Sequence, residues 1–103
     1  MNRVGVLQKA EAIVSGDREQ DYGSPEDNFK RIAALWSAYT CADISAKDVA
    51  AMMVLVKIAR VASGNAKDDN WIDIAGYAAC GGEIESQNDK YIHLGKCEVT
   101  IDA

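Results

Sequence analysis

The stretch that opens with Ser45-Ala46-Lys47-Asp48 and runs on through Val49, Met52, Met53, Val54, Leu55, Val56 and Ile58 leaves this chain little choice of architecture. A serine at a helix N-cap accepts a bond from the backbone three residues on. An acid at that third position returns the bond, so S-x-x-D marks a helix start. Behind it, apolar residues fall on nearly every side of the helical wheel until Ser63-Gly64 supplies a stop. A helix that is apolar nearly all round needs neighbours on several sides. The pattern therefore predicts the central element of an all-α bundle, ending near residue 62.

Three further helices are predicted around it. The first spans about residues 4–15, with Val6, Leu7, Ala10, Ile13 and Val14 as its apolar stripe and Gly16 as its stop. The second starts at Ser24 as N-cap, with Pro25 at the first helical position and Glu26 and Asp27 at the positive end of the dipole. Phe29, Ile32, Ala33, Trp36 and Tyr39 or Thr40 trace its buried side. The fourth runs over about residues 68–85, with Gly81-Gly82 as a point of fraying or bending. After it the β-branched residues and the alternation Cys97, Val99, Ile101 suggest a short extended or β-hairpin tail turning near Leu94-Gly95. The expected organisation is a helical domain over residues 1–86 and a C-terminal extended tail over 87–103.

The chain has 103 residues, enough for one domain with a modest core. Its net charge of −5 argues against a duplex nucleic-acid binder, which would carry a basic surface. It leaves room for a nucleotide, whose phosphates a few cations or a metal can neutralise. Cys41, Cys80 and Cys97 are odd in number and contain no C-x-x-C pair, which fits reduced thiols, with Cys80 as a small packing residue. A single histidine, His93, assembles no zinc cluster and has no evident catalytic partner. Gln8, Lys9 and Glu11 interrupt any signal peptide, and the apolar run over 49–56 is too short to span a bilayer. The expected location is cytoplasmic, with no membrane partner.

The candidate chemistry lies first on the fourth helix. Trp71, Ile74, Ala75 and Ala78 fall at the spacing of a core stripe, with Asp69, Asp73, Gly76 and Tyr77 on the other side. A glycine inside a helix costs roughly 1 kcal/mol relative to alanine, so Gly76 suggests close approach by another backbone or a ligand. Asp69 and Asp73, one turn apart, are of the oxygen type that magnesium takes, and Asp48 at the bundle end is a further candidate. Solvated dipole complements are the simpler reading for Asp68 and Asp69. Lys57 and Arg60 are neighbours on the third helix. They either grip a phosphate or pair with Asp69 or Asp73. Arg18 and Tyr22, between the first two helices, are a further phosphate contact and a stacking ring, or parts of an ordinary polar connection. No P-loop, G-x-G-x-x-G, G-x-S-x-G or H-E-x-x-H is present.

Several blocks in order are familiar: Gly16-Asp17-Arg18 with Asp21-Tyr22-Gly23, Asn28-Phe29 with Ile32 to Tyr39, Ile44 to Ala50, Lys57-Ile58-Ala59-Arg60, and Asp69 to Tyr77. Together they resemble a family of small phage and prophage proteins of undefined function, over roughly residues 10–84. The order Asp-Tyr-Gly, Lys-x-x-Arg and Asp-x-x-x-Asp-x-x-x-Tyr is more distantly similar to phage domains associated with nucleotide modification. It is also similar to the all-α, MazG-like nucleoside triphosphate pyrophosphatases. That second resemblance implies an oligomeric helical bundle holding magnesium on paired acidic motifs. Asn70-x-x-Asp73 would stand in one motif with Asn in place of Glu. Asp48-x-x-Ala51 would stand in the other with Ala in place of an acid.

The leading expectation is a phage-type nucleotide-handling protein, whose enzymatic form would be a divergent metal-dependent nucleoside triphosphate pyrophosphohydrolase. It would hold a nucleotide or other phosphate-bearing ligand with Arg18, Tyr22, Lys57, Arg60 and Tyr77, and Mg²⁺ on Asp69, Asp73 and Asp48. In either form the bundle is expected to be a homo-oligomer, and without turnover it would instead be a nucleotide-sequestering protein. A third reading is a protein-binding accessory acting on a host target, in which Asp73 pairs structurally with Lys57 or Arg60.

Overall fold

The computed structural model describes residues 1–16, 25–64 and 68–88. They form four helices: α1 (Arg3–Ser15), α2 (Pro25–Thr40), α3 (Ala46–Ala62) and α4 (Asp68–Asn88). This is an all-α bundle. The tail after residue 88, where the extended or hairpin segment was expected, lies outside the described residues.

The helix ends follow from local chemistry. Asn2 caps α1, its side-chain oxygen accepting from Gly5 N at 2.8 Å. α2 opens on Pro25, with Glu26 and Asp27 in its first turn. It ends where Cys41 takes φ 58°, a left-handed position usually left to Gly or Asn. Ser37 then clamps the turn into α3: Ile44 N donates to Ser37 Oγ at 3.0 Å, and Ser37 Oγ donates to Ile44 O at 3.1 Å. The predicted capping box is present. Asp48 N donates to Ser45 Oγ at 3.2 Å and Ser45 N donates to Asp48 Oδ2 at 2.9 Å. Gly64 follows the C-cap Ser63 with φ 89°, which ends α3 where the sequence placed the stop.

The core sits between α2, α3 and α4. It is built from Phe29 and Ala33, Val49 and Ala50, and Cys80 and Ile84, with Ile32, Trp36, Ile44, Met53 and Tyr77 packed around it. Cys80 is thus the small packing residue that the sequence suggested.

Several packing expectations are corrected. Among the described helices the central one is α4, which packs against each of the other three, whereas α3 touches α2 and α4 only. One side of α3 therefore faces outward, carrying Met52, Leu55, Val56 and Ile58. The buried stripe of α4 is also shifted: of the four residues expected inside, Ile74 and Ala75 are half-buried. Trp71 is 50 % exposed and Ala78 is exposed, while Ile72, Gly76, Cys80 and Ile84 are buried. The physical reason is residue size. Neighbouring helices close onto the stripe where Gly76, Cys80 and Gly81 let them approach, and a tryptophan at the edge can keep one face in water. Gly81 and Gly82 do not end α4, which continues to Asn88. On α2, Tyr39 is almost wholly exposed at 91 %. On α1, Ala10 is buried and Leu7 and Ile13 are exposed, because α1 has a single partner among the described helices, α4.

Candidate functional site

The residues singled out for chemistry meet, where they meet, at the seam of α3 and α4. The inward side of α3 is Ala46, Val49, Ala50, Met53, Val54, Lys57 and Val61, all buried or half-buried. Lys57 stands in this apolar line, buried along its stem, and a charged lysine survives there only with a partner. Its Nζ lies 3.1 Å from Asp73 Oδ2 on α4. The Lys57 side chain is 11 % exposed and that of Asp73 31 %. The carboxylate thus stands at the water-facing edge of the seam, with the ammonium behind it.

One turn further along α4, Tyr77 stacks on Phe29 of α2, ring centroids 6.1 Å apart and planes 30° apart. Its ring is committed to the α2–α4 contact. Gly76, between Asp73 and Tyr77, faces α1. A Cβ there would meet only the Val14 side chain, at an ordinary 3.5 Å. The neighbour is neither a backbone nor an open ligand space, which corrects the reading of Gly76. The close approach in this helix is at Gly81, where a Cβ would stand 3.1 Å from Ala50 Cβ. Sequence inspection noticed the pair Gly81-Gly82 only as a weak point in the helix.

The remaining candidates lie apart. Asp48 is engaged in the capping box of α3. Arg60 is exposed in the last turn of α3, and Asp69 is exposed in the first turn of α4. Asn70, beside it, is buried. Arg18 and Tyr22 lie outside the described residues. Among the described residues, no three side chains of His, Cys, Asp or Glu gather where they could hold a metal ion.

Chemically, the Lys57–Asp73 pair is a neutralised unit. A phosphate approaching Lys57 must displace an internal carboxylate, and a cation approaching Asp73 must displace an internal ammonium. The pair suits the fixing of one helix against another better than it suits ligand capture.

The surface carries the feature that sequence reasoning missed. Among the described residues, Val4, Leu7, Leu35, Tyr39, Met52, Leu55, Val56, Ile58 and Trp71 are large apolar side chains left exposed. The large side chains of the core are Phe29, Val49, Ile72 and Ile84. The signal was present in α3, whose apolar residues exceed what one buried stripe needs. Among the described residues, no helix is long and apolar enough to cross a membrane.

Comparison with known proteins agrees with the resemblance to small phage proteins. The chain is 45% identical over 75 residues to the Gene 55 protein of Mycobacterium phage D29, covering 73% of this chain and 50% of that protein. It is 41% identical over 88 residues to the Gene 55 protein of Mycobacterium phage L5, covering 84% of this chain and 56% of that protein. The chain thus spans about half the length of the curated relatives it matches. No solved structure matches. The domain of unknown function DUF6378 matches residues 5–85, and the chain belongs to that family, one with phage members.

Proposed function

We propose that this member of a phage family works through contact with other protein surfaces and carries out no chemistry of its own. The observation that carries this reading is the inversion of apolar size between inside and outside. Leu55 and Leu35 are each 65 % exposed, while among the described residues alanines and a cysteine make up half of the buried apolar core. Large exposed apolar patches on a small domain mark interaction surfaces. The internal pairing of Lys57 with Asp73 points the same way, since it removes the best-placed cation and the best-placed acid from ligand duty.

The nucleotide readings remain the alternative. A sequestering protein would rest on exposed Arg60, with Arg18 and Tyr22. A divergent pyrophosphohydrolase would need Mg²⁺ on Asp69 and on acids outside the present pairings.

One experiment separates them. The purified chain is incubated with pooled ribo- and deoxynucleotides, cyclic ones included, in magnesium or manganese. Free and retained fractions are then quantified by mass spectrometry. The expected result is that every nucleotide comes through unretained and unchanged. Retention of an intact nucleotide would replace the proposal with sequestration. Conversion of a triphosphate to its monophosphate and pyrophosphate would replace it with the hydrolase. In parallel, a photo-reactive residue in place of Leu55 is expected to give a discrete protein adduct.

A further inference from the structure

We propose that α1 is a strap. It lifts from α4 as a unit, in an opening separate from the unfolding of the α2–α3–α4 core, and uncovers the side of α4 that carries Ile72 and Gly76. The inference goes beyond the protein-contact reading and does not depend on it.

The first argument is connection. Among the described helices α1 packs on α4 alone. Its side-chain hydrogen bonds are local: Gly5 N donates to Asn2 Oδ1, and Ser15 Oγ donates to Glu11 O. Among the described residues, no hydrogen bond or ion pair joins α1 to another helix. The seam of α3 and α4, by contrast, carries Lys57 with Asp73. Apolar contact alone holds α1.

The second argument is the size of that contact. The inward stripe of α1 is Gly5, Val6, Ala10 and Val14, of which Ala10 is buried and the others half-buried. Val4, Leu7 and Ile13 stand exposed. Hydrophobic stabilisation follows the apolar area buried, so a stripe of small residues anchors a helix weakly. Val14 is the one α1 side chain packed against the core cluster, and neither Ala10 nor Ile72 belongs to that cluster.

The third argument is the side of α4 that α1 covers. At about 100° per residue, Ile72 falls roughly 40° from Gly76, whose neighbour is Val14. Asp73, Tyr77 and Gly81, through which α4 meets α3 and α2, lie roughly 60–140° round from Gly76 in the other direction. The contacts that build the core therefore survive when α1 leaves. What changes is the surface: Ile72 and Gly76 become accessible, and Val6, Ala10 and Val14 are released. A helix of 13 residues without its support is short for stability in water, so a lifted α1 also loses its backbone hydrogen bonds. That loss makes the opening readable by amide exchange.

The test is native-state hydrogen exchange of the full chain, followed residue by residue by NMR in low concentrations of urea. The amides of residues 7–15 are expected to exchange together, ~100-fold or more faster than the slowest amides of α3, and with little dependence on urea. Ile72→Ala should speed exchange in α1 by ~10-fold or more. Val49→Ala, in the core and away from α1, should speed the slowest α3 amides by ~10-fold while leaving those of α1 unchanged. If α1 amides are as slow as those of α3, or are speeded equally by Val49→Ala, α1 belongs to the core's single transition and the strap is overturned. Exchange at the rate of an unfolded peptide would overturn it as well, because α1 would not be docked. Should Val49→Ala fail to fold, the wild-type chain decides alone: a shallow urea dependence in α1 supports the strap, and one as steep as that of α3 overturns it.

Discussion

Lys57 of α3 and Asp73 of α4 form an ion pair at 3.1 Å whose two ends differ in burial, the lysine being the deeper. The asymmetry matters because the cost of removing one partner is set by the charge left behind. An aspartate at the seam edge can turn to water. A lysine held in the line of Val49, Ala50 and Met53 has much less water to reach.

The pair therefore predicts unequal single mutants. Asp73→Ala strands the buried ammonium and should cost about 2–4 kcal/mol of unfolding free energy. Lys57→Met keeps the buried stem and strands only the better-hydrated carboxylate, at a cost of about 1–2 kcal/mol. The double variant should be more stable than the sum of the singles implies, with a coupling of roughly 1–3 kcal/mol by denaturant titration. Equal single costs with no coupling would mean that the pair contributes nothing and that Asp73 is available to a ligand after all.

A second prediction tests which side of α4 is inside. Ile72 is 2 % exposed and its neighbour Trp71 is half in water. Ile72→Ala should cost about 2–5 kcal/mol, the range for deleting a buried aliphatic side chain. Trp71→Ala removes the larger residue and should cost clearly less. Urea midpoints of the two variants decide it, and a larger loss at Trp71 would restore the face that spacing alone selects.

The contrast between Ile72 and Trp71 also locates what the sequence could tell. Helix existence and ends were legible because they depend on neighbours in the chain: Ser45 with Asp48, Pro25 ahead of Glu26 and Asp27, Gly64 after Ser63. The choice of buried face was not. On α4 two stripes compete, and periodicity cannot tell which one the partners will meet. That is decided by α1, α2 and α3 closing onto Gly76, Cys80 and Gly81, a fact about packing at long range. The same limit explains the candidate site. Lys57 and Asp73 were each legible as chemistry-bearing, and their pairing was one of two readings. Nothing local indicated that the lysine points inward while Leu55, two residues before it, points out.

The three glycines of α4 give the last prediction, because a helix makes them comparable. Each Gly→Ala change gains up to about 1 kcal/mol from helix propensity and reduced unfolded-state freedom, provided the methyl fits. At Gly82 a Cβ meets nothing within 4 Å, so the full gain is expected. At Gly76 the methyl rests 3.5 Å from Val14 Cγ1, an ordinary contact, and a similar gain is expected. At Gly81 it would stand 3.1 Å from Ala50 Cβ, closer than side chains usually sit. There α3 and α4 must part by a few tenths of an ångström, loosening the seam that also holds Lys57 against Asp73. Gly81→Ala should therefore forfeit its gain, with a melting temperature at or below that of the wild-type chain, while Gly82→Ala rises above it. If all three alanines stabilised alike, α3 and α4 would be less tightly apposed at Gly81 than the 3.1 Å approach requires.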